Sequence, residues 1–212
     1  MIKNYSKTDK FIIKSNEMID ILFNIKGSGR DYPAKNVDEG KMTNVEKKLV
    51  TNLMRVNHSG EIAAQGLYIG HALSAKTLEQ KNMMLNMASE EKDHLEWCDK
   101  RIKELKGNTS LFNPLWFIGS IGLGFLSGIT NDKKSLGFLE ETEIQVTDHL
   151  DSHIKRLPEN DHKTQAILQR MKSDEKSHSE TAHNFGAEEL PPKIKKTMKI
   201  IANMMKFASF RL

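Results

Sequence analysis

Apolar residues recur at three- and four-residue intervals along most of the chain, and alternating β-branched runs are few, so the pattern predicts mostly helix. Residues 44–74 and 77–106 form two long helical stretches, the second opened by Thr77-Leu-Glu-Gln80, which matches a capping box. They predict a first helical hairpin. Residues 135–156 and 161–185 flank the turn Leu157-Pro-Glu-Asn-Asp161 and predict a second. A shorter amphipathic helix is expected over about residues 8–25, followed by a loop punctuated by Gly27, Gly29, Pro33 and Gly40. The fold class that follows is all-α, one domain over residues 1–212 with its core at about 45–185.

Two further segments stand apart. Residues 107–131 (GNTSLFNPLWFIGSIGLGFLSGITN) carry no charge and are the most hydrophobic part of the chain. Their length approaches that of a bilayer span, yet Asn113, Pro114 and glycines 119, 122, 124 and 128 weaken that reading, and the residues alone leave it open. After Pro191-Pro192, residues 193–212 interleave lysines with Ile, Met and Phe, as a basic amphipathic helix does.

Composition narrows the function. With 212 residues, 38% of them hydrophobic, the chain can bury a core and is not a disordered segment. A single cysteine, Cys98, excludes an internal disulfide, a cysteine-rich zinc or iron–sulfur site and a paired-cysteine redox motif, and suggests a reducing compartment. The formal charge of +4 is concentrated in the tail, at Lys193, Lys195, Lys196, Lys199 and Lys206. Lys3, Lys7, Lys10 and Lys14 interrupt any apolar signal-peptide core, so export is not expected.

Candidate chemistry lies in Glu-x-x-His pairs, whose three-residue step puts both side chains on nearly one helical face, where they can chelate a metal. The pattern is common: Glu91/His94, Glu159/His162, Glu175/His178 and Glu180/His183 all match it. Hairpin geometry selects among them. A first hairpin turning near Lys76 sets Glu61 opposite Glu91, and a second turning near Glu159 sets Glu143 opposite Glu175. Mirroring Glu180 instead meets Phe138, and Glu159/His162 falls in the turn. The surviving set is Glu61, Glu91, His94, Glu143, Glu175 and His178. One Glu from each of two helices and a Glu-x-x-His from each of the others is the ligand set of a ferritin-like di-iron or di-manganese bundle. Four carboxylates suit two neighbouring divalent cations, whereas zinc prefers fewer ligands richer in nitrogen or sulfur.

The motifs Leu53-Met-Arg-Val-Asn-His-Ser-Gly-Glu61, Glu90-Glu-Lys-Asp-His-Leu-Glu-Trp-Cys98, Glu140-Glu-Thr-Glu-Ile-Gln-Val-Thr-Asp-His149 and Asp174-Glu-Lys-Ser-His178 occur in this order. With Pro114-Leu-Trp-Phe117, they make residues 45–185 resemble the demethoxyubiquinone hydroxylase family of ubiquinone biosynthesis. The resemblance implies a peripheral membrane monooxygenase that hydroxylates the ring of a 2-polyprenyl-3-methyl-6-methoxy-1,4-benzoquinone with O2 and electrons from NADH. It implies two irons, one served by Glu61, Glu91 and His94 and the other by Glu143, Glu175 and His178, with Glu91 and Glu175 bridging.

Tyr68 falls on the face of Glu61 and is a candidate to donate a hydrogen bond near the metals or gate the quinone. His149 matches a histidine that accompanies the third Glu in the family. It sits off that glutamate's face in a regular helix and is a substrate-channel or supporting candidate. Arg55, Asn57 and His58 belong to the first motif and are expected to form buried hydrogen bonds.

A single membrane crossing at 107–131 would separate the two hairpins and scatter the six ligands, so the segment is expected to lie along the bundle at the interface. The expected location is the cytoplasmic face of the cell membrane, with the membrane surface, the quinone and other ubiquinone-biosynthesis proteins as partners and a homo-oligomer left open. Nucleic acid is not expected. Two alternatives remain: another di-iron oxidase or RNA hydroxylase, and a metal-free helical protein that coats membranes. An RNA-binding role would use the basic tail and weaken steeply with salt. The membrane coat would fold and bind normally after Glu91→Ala and His178→Ala.

Overall fold

The computed structural model describes residue 6 and residues 25–130 and 132–212; the helix expected at 8–25 lies outside the described residues. Among the described residues six helices follow one another: α1 (Asn44–Ser74), α2 (Leu78–Glu104), α3 (Asn113–Gly128), α4 (Asp132–Ile154), α5 (His162–Asn184) and α6 (Pro192–Arg211). There is no strand among the described residues.

Local chemistry sets the helix starts. Thr43 and Glu46 form a reciprocal capping box at α1, the Thr43 hydroxyl accepting from the Glu46 amide and the Glu46 carboxylate from the Thr43 amide. Thr77 caps α2 through the Gln80 amide, and Asp161 caps α5 through the Thr164 amide. Asp161 also accepts from Arg101, a fully buried guanidinium that meets Glu39 and Glu104 as well and so ties the N-terminal loop, α2 and the start of α5 together.

The hairpins α1–α2 and α4–α5 pack into a four-helix bundle. Its apolar interior divides into two clusters, one around Met54, Trp97, Ile102, Leu150, Leu168 and Met171 and the other around Tyr68, Met84, Met87, Leu136, Leu139 and Ala182. The Glu-x-x-His motifs fall between them along α2 and α5.

The apolar crossover is shorter than the segment expected to form it: α3 spans 16 residues, beginning at Asn113-Pro114, and residues 107–112 form the approach. Proline at the first turn is compatible with a helix start because its missing N–H has no intrahelical partner there. α3 lies against α1 along a seam of small residues. A Cβ on Gly70 would meet the Ile121 carbonyl and one on Gly124 the Leu67 carbonyl, so glycine permits backbone contact that any side chain would block. On the opposite face Leu115, Ile118 and Leu126 stay exposed. α6 packs on α1, with Trp116 Nε1 donating to Ser209 Oγ to join it to α3, and leaves Ile200, Ile201, Met204 and Phe207 exposed. No described helix is long and apolar enough to cross a membrane.

Candidate metal centre

Glu61 on α1, Glu91 and His94 on α2, Glu143 on α4, and Glu175 and His178 on α5 converge in the middle of the bundle, each no more than 4% exposed. They form two overlapping groups whose ligand atoms lie within 4.8 Å of one another. One is Glu61, Glu91, His94 and Glu175; the other is Glu91, Glu143, Glu175 and His178. Glu91 and Glu175 belong to both. His94 Nδ1 is 3.3 Å from Glu91 and 3.1 Å from Glu175; His178 Nδ1 is 3.2 Å from Glu91 and 3.1 Å from Glu175.

The outward nitrogens are held by a crossed exchange. His94 Nε2 on α2 lies 3.0 Å from Asp174, the neighbour of Glu175 on α5, while His178 Nε2 on α5 lies 3.4 Å from Glu90, the neighbour of Glu91 on α2. Carboxylates on the far nitrogens fix ring orientation and aim Nδ1 inward. Arg30 pins the arrangement from outside, meeting Asp174 at 2.7 Å and Asp93 at 2.9 Å and donating to the Glu90 carbonyl at 3.1 Å. None of Arg30, Glu90, Asp93 and Asp174 was among the sequence candidates. For Glu90 and Asp174 the available signal was the acidic residue directly before the glutamate of each Glu-x-x-His ligand pair.

Tyr68 donates to Glu143 at 2.6 Å, reaching the glutamate of the opposite hairpin rather than Glu61 of its own helix. Burial, with the surrounding carboxylates, pushes its phenol well above its ordinary pKa, so the proton stays available to donate. His149 is placed elsewhere, its ring 3.9 Å from that of His153 in a cleft on the α4–α6 side. Six residues turn a helix far from the face of Glu143. Arg55, Asn57 and His58 make hydrogen bonds: Arg55 Nε to the Asn108 carbonyl, Asn57 with His153, and His58 with Asn113.

The electrostatics of the centre call for cations. Burial pushes Glu61 and Glu143 well above the usual carboxylate range, and the adjoining carboxylates add to the effect. Against burial, the carboxylates around His94 and His178 raise both imidazoles well above their ordinary value. Glu61 Oε2, Glu91 Oε1, Glu143 Oε2 and Glu175 Oε1 are buried without a hydrogen bond. One orphaned oxygen on each of four converging glutamates fits divalent cations, which would satisfy all four and displace the protons from the rings.

A four-helix bundle with this interior constellation is a ferritin-like carboxylate–histidine protein. Comparison with known sequences places it more finely. The family model described as ubiquinone biosynthesis protein COQ7 matches residues 48–209, and the chain belongs to that family. It is 44% identical over 204 residues to the 3-demethoxyubiquinol 3-hydroxylase of Chromobacterium violaceum, covering 96% of this chain and 99% of that protein. The protein of the same name from Legionella pneumophila is 49% identical over 181 residues, 85% of each chain. That from Xanthomonas campestris is 40% identical over 207 residues, 98% of this chain and 95% of the relative.

Proposed function

We propose that this protein is a 3-demethoxyubiquinol 3-hydroxylase: a monooxygenase of ubiquinone biosynthesis that adds a hydroxyl to the ring of a polyprenyl benzoquinone intermediate. Glu61, Glu91, His94, Glu143, Glu175 and His178 would hold two irons, with Glu91 and Glu175 bridging. The observation that carries this reading is the pair of overlapping buried ligand groups sharing Glu91 and Glu175, in a chain whose relatives carry that name.

A reduced iron pair would supply the electrons that let O2 attack a closed-shell ring, the electrons coming from NADH. The chain's own residues do the rest. The four carboxylates offset the charge of two dications, and imidazoles anchored on Asp174 and Glu90 present Nδ1 to them. Tyr68 holds Glu143 in place through its phenol. The apolar side chains around Met84, Met87 and Leu139 keep one side of the centre dry.

The exposed apolar faces of α3 and α6 support peripheral attachment to the cytoplasmic face of the cell membrane, where a long-tailed substrate can leave its tail in lipid. Ubiquinone-biosynthesis proteins or a second copy of the chain are further candidates to cover those faces. The direct test supplies the iron-loaded protein with a short-tailed demethoxyubiquinone, NADH and 18O2. The expected product gains one ring oxygen carrying the label. Iron-dependent O2 consumption without ring oxygenation would reject the substrate assignment.

A further inference from the structure

Where the end of α4 meets α6, a cleft of about 310 Å3 opens outside the bundle interior, away from the glutamates. Its charged lining is cationic: Arg156 from the turn that follows α4, and Lys206 and Arg211 from α6, with no carboxylate among the lining residues. No ion pair neutralises any of the three among the described residues. Both guanidiniums instead lie over aromatic rings, Arg156 at 5.8 Å from Phe210 and Arg211 at 3.6 Å from Phe207. Burial and the like charge of Lys199 press on Lys206. Three like charges around one cleft without a counter-ion, Lys206 half-buried and the two guanidiniums exposed, are an unfavourable arrangement that an anion would relieve.

A second, independent observation points into the same cleft. His149 lines it, and its buried Nε2 has no hydrogen-bond partner. The adjoining His153 also lines the cleft, with Nδ1 engaged by Asn57 Oδ1 at 2.8 Å. A neutral quinone ring and its hydrocarbon tail have no use for three cations, so the cleft goes beyond the hydroxylase reading.

We propose that this cleft is a binding site for a phosphate group, and that the phosphate is the headgroup of an anionic phospholipid. Arg156, Lys206 and Arg211 supply charge-assisted donors to the phosphate oxygens, and His149 Nε2 supplies one more. The lipid source follows from position: Ile200, Ile201 and Met204 stand exposed on the same α6, where acyl chains can lie beside a headgroup held in the cleft. The assignment holds whichever ring the metal centre acts on.

The test is co-sedimentation of the full-length, metal-loaded protein with phosphatidylcholine vesicles, with and without one third phosphatidylglycerol. The cleft variant Arg156→Gln/Lys206→Gln/Arg211→Gln is compared with Lys193→Gln/Lys196→Gln/Lys199→Gln, which removes the same charge from exposed positions of α6. Diffuse attraction, about fivefold per basic residue near an anionic surface, falls equally in both variants, so the loss of phosphatidylglycerol preference specific to the cleft is the excess, expected to be at least about tenfold. His149→Phe, which removes the Nε2 donor, should lower the preference as well. Saturable binding of inorganic phosphate, lost in the cleft variant, without any preference among vesicles would keep the phosphate site and move its source to a soluble ligand. Equal losses in both triple variants without saturable phosphate binding, or no loss in either, would overturn the proposal.

Discussion

The bundle centre and the flank formed where α1 meets α3, α4 and α6 treat histidine in opposite ways. In the centre His94 and His178 are ringed by carboxylates and, despite burial, held well above their ordinary pKa. On the flank burial dominates: His58, against the weaker opposing pull of Asp99, and His71 are lowered to about 4, His153 to about 3, and His149 well below its usual value. The same side chain is thus made a seat for cations in one place and a neutral polar group in the other. Surroundings decide its chemistry, and histidine count alone says nothing about where a metal goes.

The largest expected consequence is acid sensitivity on the flank. A histidine kept neutral when folded but free to protonate when unfolded destabilises the native state as pH falls below about 6.5, by up to about 1.4 kcal/mol per pH unit until the folded value is reached. For His71, whose two ring nitrogens have no hydrogen-bond partner, that window runs down to about 4. Replacing it with Leu should flatten the dependence of stability on pH across this window, measured by urea unfolding of wild type and variant side by side; unchanged slopes would show that His71 is already charged in the fold. The centre contributes the opposite sign. Its raised histidines stabilise the metal-free fold fully below about 6.5, and that contribution fades only as pH climbs through their elevated folded values.

Removing a carboxylate that orients a central histidine comes next. Asp174→Asn should weaken metal binding about 10- to 100-fold, and Glu90→Gln less, because Glu90 is half-exposed and lies 3.4 Å from its ring against 3.0 Å for Asp174. Metal-competition titration with a chelator measures both, and equal losses would remove the asymmetry. Gly124→Ala should cost about 1–2 kcal/mol by forcing α3 off the Leu67 carbonyl while leaving metal content intact. Metal lost in parallel would mean that flank and centre are not separable. The smallest effect belongs to Tyr68→Phe, about 1 kcal/mol for the hydrogen bond to Glu143, read from chemical unfolding.

Much of this was legible from periodicity. The six converging residues emerge because helical spacing puts Glu and His on one face and short turns make each hairpin a mirror about a countable midpoint. The start of α2 was legible for a similar reason, since the Thr77 cap is local. What escaped depends on packing between distant segments. Arg30 lies in a loop, and its partners Asp93 and Asp174 come from two different hairpins. Tyr68 was found from its position relative to Glu61, yet its partner is Glu143, because an i to i+7 argument names a face and not what faces it. The apolar crossover read as one long element; the proline and the small-residue seam make it a shorter helix laid against α1. His149 was placed by resemblance, and only the tertiary structure puts it in the flank cleft beside His153.

The central claim is that the two overlapping ligand groups form one two-metal site dependent on the shared glutamates. Elemental analysis of anaerobically purified protein, beside the Glu91→Ala/Glu175→Ala variant, tests it most directly. The account predicts about two irons per chain in the wild type and none at stoichiometric level in the variant, with the helical fold retained. Failure of the wild type to take up stoichiometric iron even after reconstitution, or undiminished iron in the variant, would contradict it.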